Sequence, residues 1–117
     1  LGLVHTLPLA QINTTPVRIG LIFPLTGGSS DMGNSALVGA QVAVQEINQV
    51  GGYLGRPIEL VVRDDEANND VGLKHAQDLV LKEKVVATIG FCNTGVAMKA
   101  LDVFQENKHP LFVSCAT

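Results

Sequence analysis

From Pro16 onward, short β-branched and apolar runs alternate with longer segments whose apolar positions recur at helical spacing. That alternation constrains the fold more than anything else in the chain, because strands joined through helical segments lie parallel and carry the crossovers on their faces. The order reads β-α-β-α-β-α-β. The first strand is Val17 to Phe23 (VRIGLIF), apolar on both sides except at Arg18, as a strand covered on both faces requires. Pro24 ends it. The loop Leu25 to Ser35 (LTGGSSDMGNS) holds three glycines, and Asn34 or Ser35 is expected to cap the helix that follows.

That helix, about Ala36 to Val50, sets Leu37, Ala40, Val44 and Ile47 on one face and ends at Gly51-Gly52, residues suited to a left-handed cap. The second strand is Ile58 to Arg63, with Asp64-Asp65-Glu66 at its carboxyl end. A second helix, capped by Asp70 and running to about Glu83, turns Val71, Leu73, Ala76, Leu79 and Val80 inward. Strand three is Val85 to Ile89. The third helix, Thr94 to Asn107, buries Ala97, Ala100, Leu101 and Phe104 and must end before Pro110. Strand four is Leu111 to Ser114. A chain that stops at the tip of a core strand reads as a fragment: residues 16–117 form one incomplete lobe, preceded by residues 1–15.

Of the 117 residues, 46% are hydrophobic, enough to bury a core, and 16% are charged, with a net charge of −3. Lys and Arg are scattered singly, so no basic patch attracts nucleic acid. Leu1 to Ala10 (LGLVHTLPLA) reads as the end of a secretory signal with Ala10 at its cleavage point, although the basic start is missing and Pro8 fits the cleavage box poorly. It is too short to span a bilayer. Gln11, where a lipid anchor requires Cys, points to an exported form without lipid. Asn13-Thr14-Thr15 matches a glycosylation tripeptide, which carries little weight alone. Cys92, Cys115 and the three histidines lack metal-ligand spacing, so neither a metal nor a cofactor is expected.

Gly28 to Ser35 is a near miss for a phosphate-binding loop. Asn34 stands where the motif needs Lys, and Asp31 adds negative charge. A small-ligand loop and a plain structural turn both remain open there. Asp64 and Asp65, adjacent in extended chain, face opposite ways, which disfavours a catalytic dyad and suits a solvated strand end. No Ser, His and acid constellation emerges, and enzymatic activity is not expected. The loop Gly90 to Gly95 carries more: amide, hydroxyl and backbone donors sit between a core strand and a helix N-terminus, at the sheet edge where open α/β sheets bind ligands. The alternative is that Asn93 or Thr94 merely caps the helix. Ser114-Cys115-Ala116-Thr117 arrives at the same edge.

The ordered series Ile19-Gly20-Leu21-Ile22-Phe23-Pro24-Leu25-Thr26-Gly27, Gly39-Ala40-Gln41-Val42-Ala43, Glu46-Ile47-Asn48, Gly51-Gly52, Gly55-Arg56-Pro57-Ile58-Glu59-Leu60, Asp64-Asp65, Ile89-Gly90 and Ser114-Cys115-Ala116-Thr117 resembles the branched-chain amino acid binding proteins of bacterial ABC transporters. The resemblance covers about Val17 to Thr117. It implies a flavodoxin-like α/β lobe with a parallel sheet in the order 2-1-3-4 and helices on both faces, part of lobe one of a two-lobe periplasmic binding protein. It also implies a ligand trapped between the lobes and handed to a membrane permease. By matching positions, Cys92, Asn93, Thr94, Cys115, Ala116 and Thr117 would hold a carboxylate, with the loop around Asp31 and Met32 covering it.

Two departures stand out. Leucine-binding members have an aromatic residue at the Met32 position and Ser at the Asn93 position, which puts an aliphatic amino acid in doubt. Several members pair a cysteine at the Cys92 position with one in the loop after Asp64-Asp65, where this chain has Ala67. In the implied strand order Cys92 and Cys115 emerge side by side, and whether they bond is open. The first functional expectation is therefore a periplasmic binding component for an amino acid or similar small carboxylate or amide. The alternatives are an extracellular sensing domain of a receptor with the same fold and an intracellular flavodoxin-like enzyme.

Overall fold

The computed structural model describes residues 14–116. Leu1 to Ala10, Asn13 and Thr117, to which the sequence assigns a signal remnant, a glycosylation tripeptide and a ligand contact, lie outside the described residues. The elements are β1 (Val17–Phe23), α1 (Ser30–Gln49), β2 (Ile58–Asp64), α2 (Asn69–Gln77), β3 (Ala87–Gly90), α3 (Thr94–Glu106) and β4 (Leu111–Val113). The strands form one parallel sheet in the order β2-β1-β3-β4, as expected. α2 continues into a π-helical turn, Asp78–Lys82.

The central position of β1 explains its two-sided apolar run. Leu21 and Phe23 pack with Leu37 and Ala40 of α1, while Ile22 packs with Ala76, Leu79, Val96, Ala100 and Phe104 on the opposite side. Burying a Phe such as Phe104 contributes about 1.5 to 3 kcal/mol by removing apolar surface from water. Its ring meets Phe91 edge to face, with centroids 6.2 Å apart, and His109 at 5.6 Å. α2 and α3 approach so closely that a Cβ on Gly72 would lie 2.2 Å from Val96 Cγ1. Arg18, the polar exception in β1, donates to Glu83 at 2.8 Å and lies 3.5 Å from Glu59.

Helix starts differ from the expectation. α1 begins at Ser30, not near Ala36, and neither Asn34 nor Ser35 caps it. Asn34 lies inside the helix, where its amide donates to the Leu25 and Ser30 carbonyls at 3.0 and 2.9 Å. The early start brings Gly33 against Pro24, whose carbonyl oxygen would be 1.9 Å from a Cβ at that position, so only glycine fits without a shift. α2 is capped by Asn68, not Asp70: its Oδ1 accepts from the backbone of Asp70 and Val71 at 2.9 and 3.0 Å. The expected glycine ending of α1 holds. Gly51 and Gly52 have positive φ, and the Gly52 N–H reaches the Ile47 carbonyl at 2.9 Å.

Candidate functional site

In a parallel sheet every strand delivers its carboxyl end to the same edge, so the four following loops gather there. Loop one, after β1, is held from two directions. Asp64 accepts from the Leu25 N–H at 2.8 Å, the Thr26 N–H at 3.3 Å and the Thr26 hydroxyl at 2.7 Å, while also taking the Glu66 N–H at 2.8 Å. From the other side, the Ser29 hydroxyl donates to Asn93 Oδ1 at 3.0 Å, and Asn93 Nδ2 donates to the Gly28 carbonyl at 3.2 Å. Partial burial pulls the Asp64 carboxyl upward, but the bonds from Thr26, Glu66 and Leu25 outweigh it and leave its pKa below the ordinary value.

Asp65 behaves in the opposite way, and the expected solvated strand end is corrected here. Its side chain is fully buried. One oxygen accepts the Ala67 N–H at 2.8 Å, whereas Oδ2 has no hydrogen-bond partner among the described residues. Burial pushes this carboxyl above its ordinary pKa, and the Asp64 charge adds to the rise against the pull of Ala67 and His75. The two acids do diverge, as adjacent strand residues must. One braces a loop and the other enters the core.

Across the edge lies an open hollow of about 780 Å³, lined by Asp31, Met32, Ser35 and Ala36 from the start of α1 and by Ser114 and Cys115 after β4. Met32 is 51% exposed there. Cys92 is buried beneath, its thiol 2.8 Å from that of Cys115. Asn93 occupies the N-cap position of α3, but its side chain makes no cap bond to the helix, since its amide is turned to loop one. Thr94 opens α3 at the surface, and the Ala116 N–H donates to the Phe91 carbonyl at 3.1 Å. The expected residues within the described range thus gather at one edge, although not all line the hollow. Ser35 was expected as a helix cap or as the end of a loop, and Ala36 carried no ligand signal, because a helix expected to start near Ala36 leaves both at its beginning. Asn68, Ser29 and Asp64 carry no ligand signal in sequence; their roles are to shape the loops.

Residues 16–117 match the family model of the periplasmic binding proteins. The chain belongs to that family. It is 37% identical over 105 residues to the Leu/Ile/Val-binding protein BraC3 of Rhizobium johnstonii, which covers 90% of this chain and 28% of the relative. Among solved structures it is similar to the branched-chain amino acid transporter substrate binding protein LivJ of Streptococcus pneumoniae in complex with isoleucine. The TM-score is 0.84 at 31% identity, over 88% of this chain and 30% of that one. A solute binding protein of an ABC transporter from Rhodopseudomonas palustris, in complex with 3,4-dihydroxy benzoic acid, matches with a TM-score of 0.79 at 29% identity, over 89% of this chain and 28% of that one. The chain therefore spans less than a third of the length of the relatives it matches. The periplasmic binding proteins are binding proteins rather than enzymes.

Proposed function

We propose that this sequence forms part of the first lobe of an exported periplasmic binding protein that captures an amino acid or a similar small carboxylate and passes it to the permease of an ABC transporter. The observation that carries this reading is the gathering of three segments at one sheet edge: the start of α1 and the segment after β4 line the hollow, and loop one beside it is tied to Asn93 at the α3 N-terminus. The ligand's carboxylate lies at the α3 N-terminus, where first-turn N–H groups and the helix dipole favour negative charge. Asn93, Thr94 and Thr117 supply its polar contacts, Cys92, Cys115 and Ala116 form the floor, and Met32 covers it. Asp31, the one acid among the residues lining the hollow, faces an ammonium group where the ligand has one.

A second lobe closing over this edge would complete the enclosure by hinge motion, each lobe contributing half of the contacts. Both an amino acid and an aromatic acid are bound by proteins similar to this chain, so the ligand class is best fixed by measurement. A thermal-shift screen of the whole protein against amino acids, amides and aromatic acids tests the reading, because a ligand that binds only the native state raises the melting temperature by mass action. At least one small carboxylate is expected to raise it. A flat response across the carboxylates, with a rise for a neutral sugar or a nucleotide, overturns it.

A further inference from the structure

The register of the sheet places two thiols together. Gly90 of β3 pairs with Val113 of β4, and Cys92 and Cys115 each follow two residues later. Past the strand ends the two segments stay side by side: the Ser114 N–H donates to the Gly90 carbonyl at 3.3 Å and, one residue out of the ladder's register, the Ala116 N–H to the Phe91 carbonyl at 3.1 Å. Neighbouring strands run about 4.8 Å apart. That spacing lies within the Cα separation of roughly 4.4 to 6.8 Å that a disulfide spans. The two sulfurs are already 2.8 Å apart, both packed in the cluster formed with Leu21 and Phe23. Bond formation at about 2.05 Å requires a movement of less than about 1 Å.

We infer that Cys92 and Cys115 form a reversible disulfide that fastens the loop after β3 to the segment after β4 at the wall of the hollow. Cys115 is half-buried and Cys92 buried, so the exchange starts at Cys115. Its thiolate attacks the sulfur of an external disulfide, an oxidised small thiol or a disulfide oxidoreductase, and releases the first thiol of that oxidant. Cys92 then attacks the Cys115 sulfur of the mixed disulfide, breaks that bond and expels the second thiol, which takes up the Cys92 proton. Two protein thiols are oxidised and one external disulfide is reduced to two thiols. Burial, and then the neighbouring Cys115, push the Cys92 thiol up to about 12. It is therefore a poor nucleophile toward outside reagents and depends on proximity to its partner.

The inference goes beyond the ligand reading and stands independently of it, except that a steady supply of oxidant rests on the proposed export. The test uses the whole protein, first reduced with dithiothreitol and then exposed to oxidised glutathione. Expected are the loss of the Cys92 and Cys115 thiols in the monomer, a mass lower by two hydrogens for that pair, and a non-reduced peptide map in which Cys92 is linked to Cys115. Oxidation is expected to raise the melting temperature by roughly 5 to 10 °C and to slow hydrogen exchange at the Ala116 amide. Cys115→Ser and Cys92→Ala, made separately so that one folded variant suffices, are expected to lose that response to oxidant and to end as single glutathione adducts or free thiols. Two thiols that stay titratable, stable glutathione adducts on the wild type, or a disulfide-linked dimer overturn the inference. None of these readouts requires a ligand, so their failure is distinct from failure of the binding reading.

Discussion

The two faces of the sheet are built from the same kinds of residue and finished differently. On the face covered by α2 and α3, Ala76, Leu79, Val96, Ala100 and Phe104 are all at most 2% exposed. On the other face α1 packs on β1 and β2, and within that helix only Gly33 is completely buried. In the sheet's register Leu21, Ile89 and Phe112 sit side by side on the α1 face, yet Phe112 of the edge strand is 61% exposed while Leu21 is inaccessible. The closed face is therefore where the stability of these residues resides. The open face adjoins the hollow, and the first two turns of α1 supply four of the six lining residues.

The largest effect that separates the faces is expected from truncating one Phe on each. Phe104→Ala removes a fully packed ring and should cost about 3 to 5 kcal/mol, whereas Phe112→Ala in the 117-residue chain should cost less than about 1 kcal/mol because most of that ring is already in water. Denaturant unfolding of both variants measures the difference. Equal costs would break the comparison, and a large cost for Phe112 only in the whole protein would show that another segment covers it there.

Glycine replacements sharpen the contrast at the next level. Gly72→Ala drives a methyl into Val96 and is expected to destabilise by about 1 to 3 kcal/mol through overpacking. Gly39, in α1, has no atom within 4 Å of a built Cβ, so Gly39→Ala should stabilise the chain by about 0.5 to 1 kcal/mol by improving helix propensity. Melting curves of the two variants should move in opposite directions.

A smaller effect appears as a pH dependence on the closed face. The His109 ring lies 2.8 Å from the Thr88 hydroxyl and tilted against Phe104, and burial lowers its pKa from 6.5. The unfolded chain then binds the proton more readily than the folded one, so stability is unaffected well above pH 6.5 and is lost as pH falls from there through the folded value. His109→Gln should flatten this part of the profile. Asp65 has the opposite sign: its raised pKa favours the folded state at low pH, and that contribution is lost as pH rises from 3.8 through the folded value. Melting temperatures of wild type, His109→Gln and Asp65→Asn between pH 3.5 and about 8 separate the two.

The order of elements was legible because hydrophobic period is set by burial, and burial here follows the sheet. Leu79, Ala100 and Phe104 were marked as inward by spacing alone and are buried. What stayed illegible depends on contacts between distant residues. The start of α1 rests on Gly33 meeting Pro24, and Asn93 joins Gly28 and Ser29 across 65 and 64 residues of chain. A polar doublet at a strand end reads as solvated, yet Asp65 is carried inward beside the α2–α3 packing, near Gly72. The hollow's location followed from topology, whereas its lining depended on where a helix began.

Isothermal titration calorimetry on the whole protein, using the small carboxylate that most raises its melting temperature, tests the central claim that this sheet edge holds the ligand. Thr94→Ala and Thr117→Ala each remove one proposed contact to the carboxylate. A hydrogen bond to a charged group contributes about 1.5 to 3 kcal/mol, so each variant should bind roughly tenfold to a hundredfold more weakly. The melting temperature of the ligand-free Thr117→Ala protein should stay close to that of the wild type. Wild-type affinity in both variants would contradict the account.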